Sequence, residues 1–186
     1  MQLYSVYQVC QQQNFKRYKM KSGQFNLLTK VTNKKILKME YIRTPKELWE
    51  QLKNEFNFTV DACASDKNHL LPKYWTKESN ALTQEWDNEV VYCHPMYDRE
   101  IPKFFKKAFS HNCLTVFLLP SSTNAVYFHE YLWDNTTHSP RKDVQIRFIP
   151  KAKGPYGHKF LTDDNEEPTT GYLRPLMVVV VNRRKK

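Results

Sequence analysis

Two short polar clusters in this sequence combine residue types that can do chemistry. Asp61-Ala62-Cys63-Ala64 places a carboxylate before three small side chains, and His94-Pro95-Met96-Tyr97 combines an imidazole, a proline and a phenol. Small side chains after an aspartate let backbone amides approach a ligand closely. A neutral imidazole can accept one hydrogen bond, and an aromatic ring can stack on a nucleobase. The clusters therefore predict a ligand site, although an aspartate at a strand end also commonly forms a simple turn.

Both clusters follow segments that are patterned as strands. Residues 57–63 alternate apolar and polar side chains, which predicts a strand ending at Asp61. Residues 89–93 predict a second strand, which runs directly into His94. Ligands bind at the carboxyl ends of strands in parallel sheets, so both clusters are expected at one ligand-binding edge. Further strands are predicted over residues 114–119, 144–149 and 176–181.

Helices are expected between these strands. Thr44, Pro45 and Glu47 match a capping box with proline at the first helical position, which predicts a helix over residues 45–55. Strands that alternate with helices indicate an α/β fold, with a mainly parallel sheet flanked by helices on both faces. The other predicted helical segments are residues 101–109, residues 124–133 and a short turn around residues 81–86; residues 150–174 are predicted as a loop.

The composition excludes several classes of protein. The chain has 186 residues, of which 40% are hydrophobic, which fits one domain with one core. Its longest apolar run, residues 176–181, is far too short to span a bilayer, so we expect no membrane association. The start of the chain lacks a secretory pattern, which predicts a cytoplasmic protein. The four cysteines show no zinc-ligand spacing, which predicts reduced thiols and no metal site.

The charge is strongly positive and unevenly distributed. The net charge of +10 and a pI of about 9.4 indicate a polyanionic partner such as DNA, or only a soluble basic surface. Residues 1–43 are polar and basic, and we predict that they form a basic N-terminal extension to a domain over residues 44–186. Such arms neutralise phosphates without reading sequence. The candidate nucleic-acid contacts are Lys103, Lys106, Arg141, Lys142 and Lys159.

Five segments, taken in order, carry a family resemblance. They are Thr44-Pro45 with Leu48-Trp49 and Leu52; residues 58–64; Asn80-Ala81-Leu82 with Trp86; residues 91–97; and Phe104-Phe105 with Ala108. Together they resemble the phage-type DNA N6-adenine methyltransferases, a branch of the S-adenosylmethionine-dependent methyltransferases. The resemblance covers residues 44–150 and extends more weakly to residue 181. It implies a Rossmann-like methyltransferase fold, methyl transfer to N6 of adenine in DNA, and a location in the host cytoplasm.

The resemblance also implies a role for each cluster. Asp61 and the small residues after it would border the methionine part of S-adenosylmethionine, and Thr44-Pro45 would close over it. His94, Pro95 and Tyr97 would form the catalytic loop that holds an adenine flipped out of the duplex. The residues implied to contact the donor are Thr44, Pro45, Asp61, Ala62, Cys63, Ala64, Asn80 and Leu82.

The catalytic loop departs from the family pattern at two of its four positions. The family has Asn or Asp, then two prolines, then an aromatic residue, whereas this chain has His94 and Met96 at the first and third positions. Three alternatives follow: a slow enzyme or one of altered specificity, an inactive relative that binds DNA or a host protein as a phage decoy or anti-host factor, or a pocket adapted to another ligand. A fourth is a basic nucleic-acid binder similar only in fold.

Overall fold

The computed structural model describes residues 42–150, 160–162 and 174–185. The chain divides into two units, Met1–Leu37 and Lys38–Lys186, and every described residue belongs to the second. The predicted N-terminal extension, except for its last two residues, and Lys159 lie outside the described residues. In the described ranges, no helix combines the length and the apolar character needed to cross a bilayer.

A five-stranded mixed sheet forms the centre of the described domain. Its strands are β2 (Val60–Asp61), β3 (Val90–Cys93), β4 (Leu114–Pro120), β7 (Val144–Phe148) and β9 (Leu176–Asn182), arranged in the order β2-β3-β4-β9-β7. The strands β2, β3 and β4 pair in parallel, whereas β9 is antiparallel to both of its neighbours. The α/β class and the strand positions are confirmed, but the sheet is mixed rather than mainly parallel. An apolar run shows that a strand is buried on both faces and carries no information on its direction.

Two helices cover opposite faces of this sheet, as predicted. On one face, α1 (Lys46–Glu55) buries Trp49 and Leu52 against Tyr92 and alternate side chains of β4 and β9. On the other face, α2 (Ile101–Ser110) buries Phe105 and Ala108 against Cys93 and the remaining side chains of β4 and β9. Alternation along each strand therefore assigns odd and even residues to different core layers. All seven residues of β4 are buried.

The predicted capping box at Thr44 is not formed. The residue at the N-cap of α1 is Pro45, and no side chain caps the helix. The Thr44 side chain is instead buried and bonds to Tyr92 and His94. A buried hydroxyl is satisfied best by buried partners, so a tertiary contact has replaced the local cap. The helix itself is confirmed, beginning at Lys46.

The predicted helix over residues 124–133 is wrong in length and type. The helical segment is a π-helical turn, Phe128–Leu132, and the chain then enters a hairpin of β5 (Trp133–Asp134) and β6 (Ser139–Pro140). Asp134 Oδ1 accepts the N–H groups of Thr136 and Thr137, which turns the chain between β5 and β6.

Two smaller predictions concern the loops. The turn expected around residues 81–86 is a 3₁₀ helix, Ala81–Thr83, whose first turn is capped by the Asn80 side chain. The predicted loop over residues 150–174 contains β8 (Leu161–Thr162), which pairs with β1 (Ile42–Arg43). Phe160 precedes β8 and is fully buried in the α1-side core. This pairing brings part of the loop to the segment before α1.

Candidate functional site

The carboxyl ends of β2 and β3 lie side by side. Asp61 pairs with Tyr92 in the parallel register, and the Ala62 N–H donates to the Tyr92 carbonyl at 2.8 Å. The prediction that both polar clusters share one edge of the sheet is therefore confirmed. A small pocket opens at this edge, lined by Arg43, Thr44, Asp61, Cys63, Asn68, Leu70, Tyr92 and His94.

Asp61 organises the floor of this pocket. Its side chain is 3% exposed; Oδ1 accepts the Cys63 N–H at 3.4 Å and Oδ2 accepts the Leu70 N–H at 3.1 Å. Burial raises the pKa of the Asp61 carboxyl to about 6, although both N–H groups act in the opposite direction. Asp61 therefore shapes the loop after β2 and also presents a carboxylate to the pocket. Its interpretation as a turn residue and its interpretation as a ligand-site residue are thus compatible.

The loop after Asp61 folds back along β2. The Asp61 N–H donates to the Lys73 carbonyl at 3.0 Å, and the Trp75 N–H donates to the Asp61 carbonyl at 2.8 Å. Ala62 is buried, whereas Cys63 and Ala64 are partly buried. Cys63 Sγ lies 3.6 Å from Cys93 Sγ on the adjacent strand, and burial raises the pKa of the Cys93 thiol well above its usual value. The Cys93 thiol is therefore a neutral packing partner beside the pocket at neutral pH.

His94 occupies the tip of β3 and bonds through both ring nitrogens. Nδ1 lies 3.1 Å from Thr44 Oγ1, and Nε2 lies 2.9 Å from the Tyr97 hydroxyl. Burial lowers the pKa of the His94 imidazole to about 4, so the ring is neutral at neutral pH. The Phe160 ring centre lies 5.8 Å from that of His94. Thr44, Asp61 and His94, predicted from distant parts of the sequence, thus surround one pocket.

The other residues of the loop after β3 differ in how deeply they are buried. Pro95 is buried, and Tyr97 is partly buried and packs against both core layers. Met96 is 50% exposed and stands away from the core. Pro45 is partly buried next to Thr44 and does not line the pocket.

Comparison with known proteins decides the family. A family model described as DNA N-6-adenine-methyltransferase (Dam) matches residues 31–184. The chain belongs to the Dam family. A DNA N-6-adenine-methyltransferase of Escherichia phage T1 is 33% identical over 92 residues, which cover 47% of this chain and 38% of that relative. A DNA N-6-adenine-methyltransferase of Haemophilus phage HP1 (strain HP1c1) is 26% identical over 160 residues, 83% of this chain and 84% of that relative.

The family match begins inside the predicted N-terminal extension. Residues 31–43 belong to the region that is similar to the Dam family. Arg43 is the part of this region whose side chain is described, and it lines the pocket. The sequence interpretation assigned no role to Arg43.

Two predicted donor contacts of this Dam family member lie away from the pocket. Asn80 is exposed, and its side chain accepts the Leu82 N–H at 3.1 Å within its own turn. The neighbouring Ala81 packs into the α2-side core, and its carbonyl accepts the Trp86 indole N–H at 2.9 Å. Neither Asn80 nor Leu82 lines the pocket, so their proposed adenine contact would need a ligand that extends beyond it.

The predicted nucleic-acid contacts divide into two places. Lys103 and Lys106 are exposed on α2, which follows the His94 loop. Arg141 and Lys142 are exposed just before β7, where Val144 pairs with Val181 near the end of β9. Because β9 is antiparallel, that end of the sheet is opposite the pocket. Of the predicted contacts that the structure describes, Lys103 and Lys106 therefore lie on the helix that follows His94, and Arg141 and Lys142 lie at the other end of the sheet.

Sequence reasoning missed four residues that line the pocket: Arg43, Asn68, Leu70 and Tyr92. Tyr92 could have been found, because it lies two residues before His94 on the same face of one strand. Asn68 accepts the Ser65 N–H at 2.6 Å in the loop after β2. Its position depends on how that loop folds, and no periodic signal marks it.

Proposed function

We propose that this Dam family member binds S-adenosylmethionine and transfers its methyl group to N6 of adenine in DNA, on a sheet of Rossmann-like type. The observation that carries the proposal is the pocket in which Thr44, Asp61 and His94 meet at the ends of two adjacent parallel strands. Such strand ends are the usual ligand site of α/β sheets. The names of the two phage relatives support the same reaction.

The charges around the pocket fit the amino-acid part of the donor. When bound, S-adenosylmethionine supplies an electrophilic methyl group on a positively charged sulfur, beside an ammonium and a carboxylate. Asp61 provides a carboxylate for the cationic groups, and Arg43 provides a guanidinium for the carboxylate. The two opposite charges that line the pocket therefore suit the methionine part, which agrees with the role inferred for Asp61.

The loop after β3 would place the target base. The Tyr97 ring offers a stacking surface next to the pocket residue His94, with 5.5 Å between their ring centres. A strong general base is unnecessary because the methyl group is already activated by positive charge. Alignment of the amine nitrogen with the methyl carbon then supplies most of the rate acceleration. The low pKa of His94 agrees with this, since the imidazole carries no charge that would repel the sulfonium.

Methyl transfer and donor binding are tested separately on the full chain. We expect calorimetry to detect S-adenosylmethionine binding, and mass spectrometry to detect N6-methyladenine in unmethylated DNA after incubation with protein and donor. No heat of binding at millimolar donor would overturn the proposal at its first step. Binding without methyl transfer would retain the donor pocket and overturn the reaction.

One observation favours a second candidate function, an inactive relative that binds DNA or a host protein. Both ring nitrogens of His94 already bond to protein groups, so its side chain has no acceptor left for the adenine amine. In that case Asp61 and Arg43 would still hold the donor. Donor binding and DNA binding that both persist without any N6-methyladenine would support this candidate.

The stacking role of Tyr97 gives a prediction of its own. Tyr97→Ala should lower kcat/KM for DNA methylation about tenfold, because stacking of one base on an aromatic ring contributes about 1–3 kcal/mol. Tyr97→Phe is the matched control, because it keeps the ring and loses only the hydroxyl. If the phenylalanine variant loses as much activity as the alanine variant, the stacking surface of the ring does not by itself account for the role of Tyr97.

A further inference from the structure

A chain of three hydrogen bonds joins the tip of β3 to Thr44, two residues before α1. The Tyr92 hydroxyl lies 2.6 Å from Thr44 Oγ1, and Thr44 Oγ1 lies 3.1 Å from His94 Nδ1. On the other side of the ring, His94 Nε2 lies 2.9 Å from the Tyr97 hydroxyl. Tyr92 is 1% exposed and Thr44 is 5% exposed, so the first bond of the chain is almost closed to water. We refer to these four residues as the hydroxyl–imidazole chain.

Burial fixes the direction in which these groups donate. Among the described residues, Thr44 is the one hydrogen-bond partner of the Tyr92 hydroxyl. If the Tyr92 hydroxyl only accepted a hydrogen bond from Thr44, its own buried O–H would have no acceptor, and an unsatisfied buried donor destabilises the folded state. Tyr92 therefore donates to Thr44, and Thr44 uses its own proton to donate to His94 Nδ1. The neutral imidazole then carries its proton on Nε2 and donates it to the Tyr97 oxygen.

We infer that Thr44 and Tyr92 are positioning residues that hold His94 in the Nε2–H tautomer, so that the imidazole fixes the oxygen, and with it the ring, of Tyr97. His94 is then a brace inside the loop rather than an acceptor for substrate. This rests on the proposed function in one respect only, which is the assignment of Tyr97 as the stacking residue. Thr44 accordingly acts through His94, in addition to lining the pocket.

The shape of the imidazole explains why histidine suits this role. Its two nitrogens lie on different sides of a rigid ring, so one side chain can bridge Thr44 and Tyr97. An asparagine at position 94 would be shorter and could not make both contacts from the same place. Burial lowers the pKa of His94, so the imidazole is neutral and carries one proton on one of its two nitrogens at neutral pH.

Nuclear magnetic resonance of the full chain with isotopically labelled histidine tests the inference. His94 is one of six histidines, and its signal is identified by its loss in His94→Asn. We expect the nitrogen and Cδ2 shifts of wild-type His94 to report the Nε2–H tautomer alone. Thr44→Val should produce a mixture of tautomers because Nδ1 loses its donor, and Thr44→Ser should restore the single form.

A milder variant covers the case in which Thr44→Val does not fold. Tyr92→Phe removes the buried O–H that sets the direction, so it should also increase the Nδ1–H fraction, by less than Thr44→Val. A wild-type Nδ1–H tautomer, or tautomers unchanged in both variants, would overturn the inference. The measurement needs neither donor nor DNA, so it separates failure of the hydroxyl–imidazole chain from failure of the proposed methyl transfer.

Discussion

Asp61 is expected to make the folded domain about 2 kcal/mol less stable at pH 7 than at pH 4, and Asp61→Asn should remove that difference. Burial raises the pKa of the carboxyl from 3.8 to about 6, which corresponds to about 3 kcal/mol over the whole titration at roughly 1.4 kcal/mol per pH unit, and to about 2 kcal/mol between pH 4 and pH 7. Because the folded chain holds this proton more tightly than the unfolded chain, the free energy of unfolding falls as the pH rises from about 4 to about 6. Above that range both states are ionised and the contribution is constant.

The measurement is urea unfolding of wild type and Asp61→Asn at several pH values between 4 and 7. Other groups titrate in this range, so the quantity of interest is the difference between the two curves. Asp66→Asn is the matched control: Asp66 lies in the same loop, is exposed, and accepts the Tyr74 hydroxyl at 2.9 Å. Equal pH dependence in wild type and Asp61→Asn would contradict the burial of a charged Asp61.

The same titration has a consequence for ligand binding. A protonated Asp61 cannot attract the cationic groups of S-adenosylmethionine, so donor affinity should weaken as the pH falls through about 6. The bound donor would in turn favour the ionised carboxyl. The loss of stability thus results from keeping a buried carboxylate at the pocket, and strongly shifted pKa values of this kind are common at functional sites.

The sheet and the site edge were predictable because they depend on local patterns. Alternation in residues 57–63 and the long apolar runs placed the strands, and the polar residues at their ends placed Asp61 and His94 at one edge. The direction of β9 in the sheet was not predictable. The chain enters β9 (Leu176–Asn182) in the antiparallel sense after the segment that contains β8, and the apolar side chains of β9 would fit either direction.

Thr44 matches the sequence pattern of a helix cap, but its hydroxyl does not cap the helix. The Thr-Pro-Lys-Glu pattern fits a capping box, yet the hydroxyl bonds to Tyr92 and His94, 48 and 50 residues away in the sequence. Tertiary partners override local capping when the position is buried. Tyr92 falls within the strand predicted over residues 89–93; its ring is buried in the core, while its hydroxyl takes part in the site.

The second large effect is expected from restoring the family loop. The double variant His94→Asn, Met96→Pro should raise the rate of adenine methylation by about tenfold to a thousandfold, because a fitted acceptor typically contributes a few kcal/mol to the transition state. Asparagine supplies a carbonyl oxygen that can accept the adenine amine, which the doubly bonded His94 cannot do. Single-turnover formation of N6-methyladenine measures the rate without interference from product release.

The single variants show what each change contributes. Met96 is 50% exposed, and its N–H makes none of the loop and turn backbone hydrogen bonds identified in the described residues. Proline at position 96 therefore removes no hydrogen bond identified there, and it fixes the backbone φ angle of the loop. We expect His94→Asn alone to gain little, because it removes the brace on Tyr97, and Met96→Pro alone to gain little, because the acceptor is still missing. Their combined gain should therefore exceed the product of the single gains. Met96→Ala controls for loss of the side chain, and a double variant that binds donor and DNA but is no faster than wild type would show that this loop does not limit turnover.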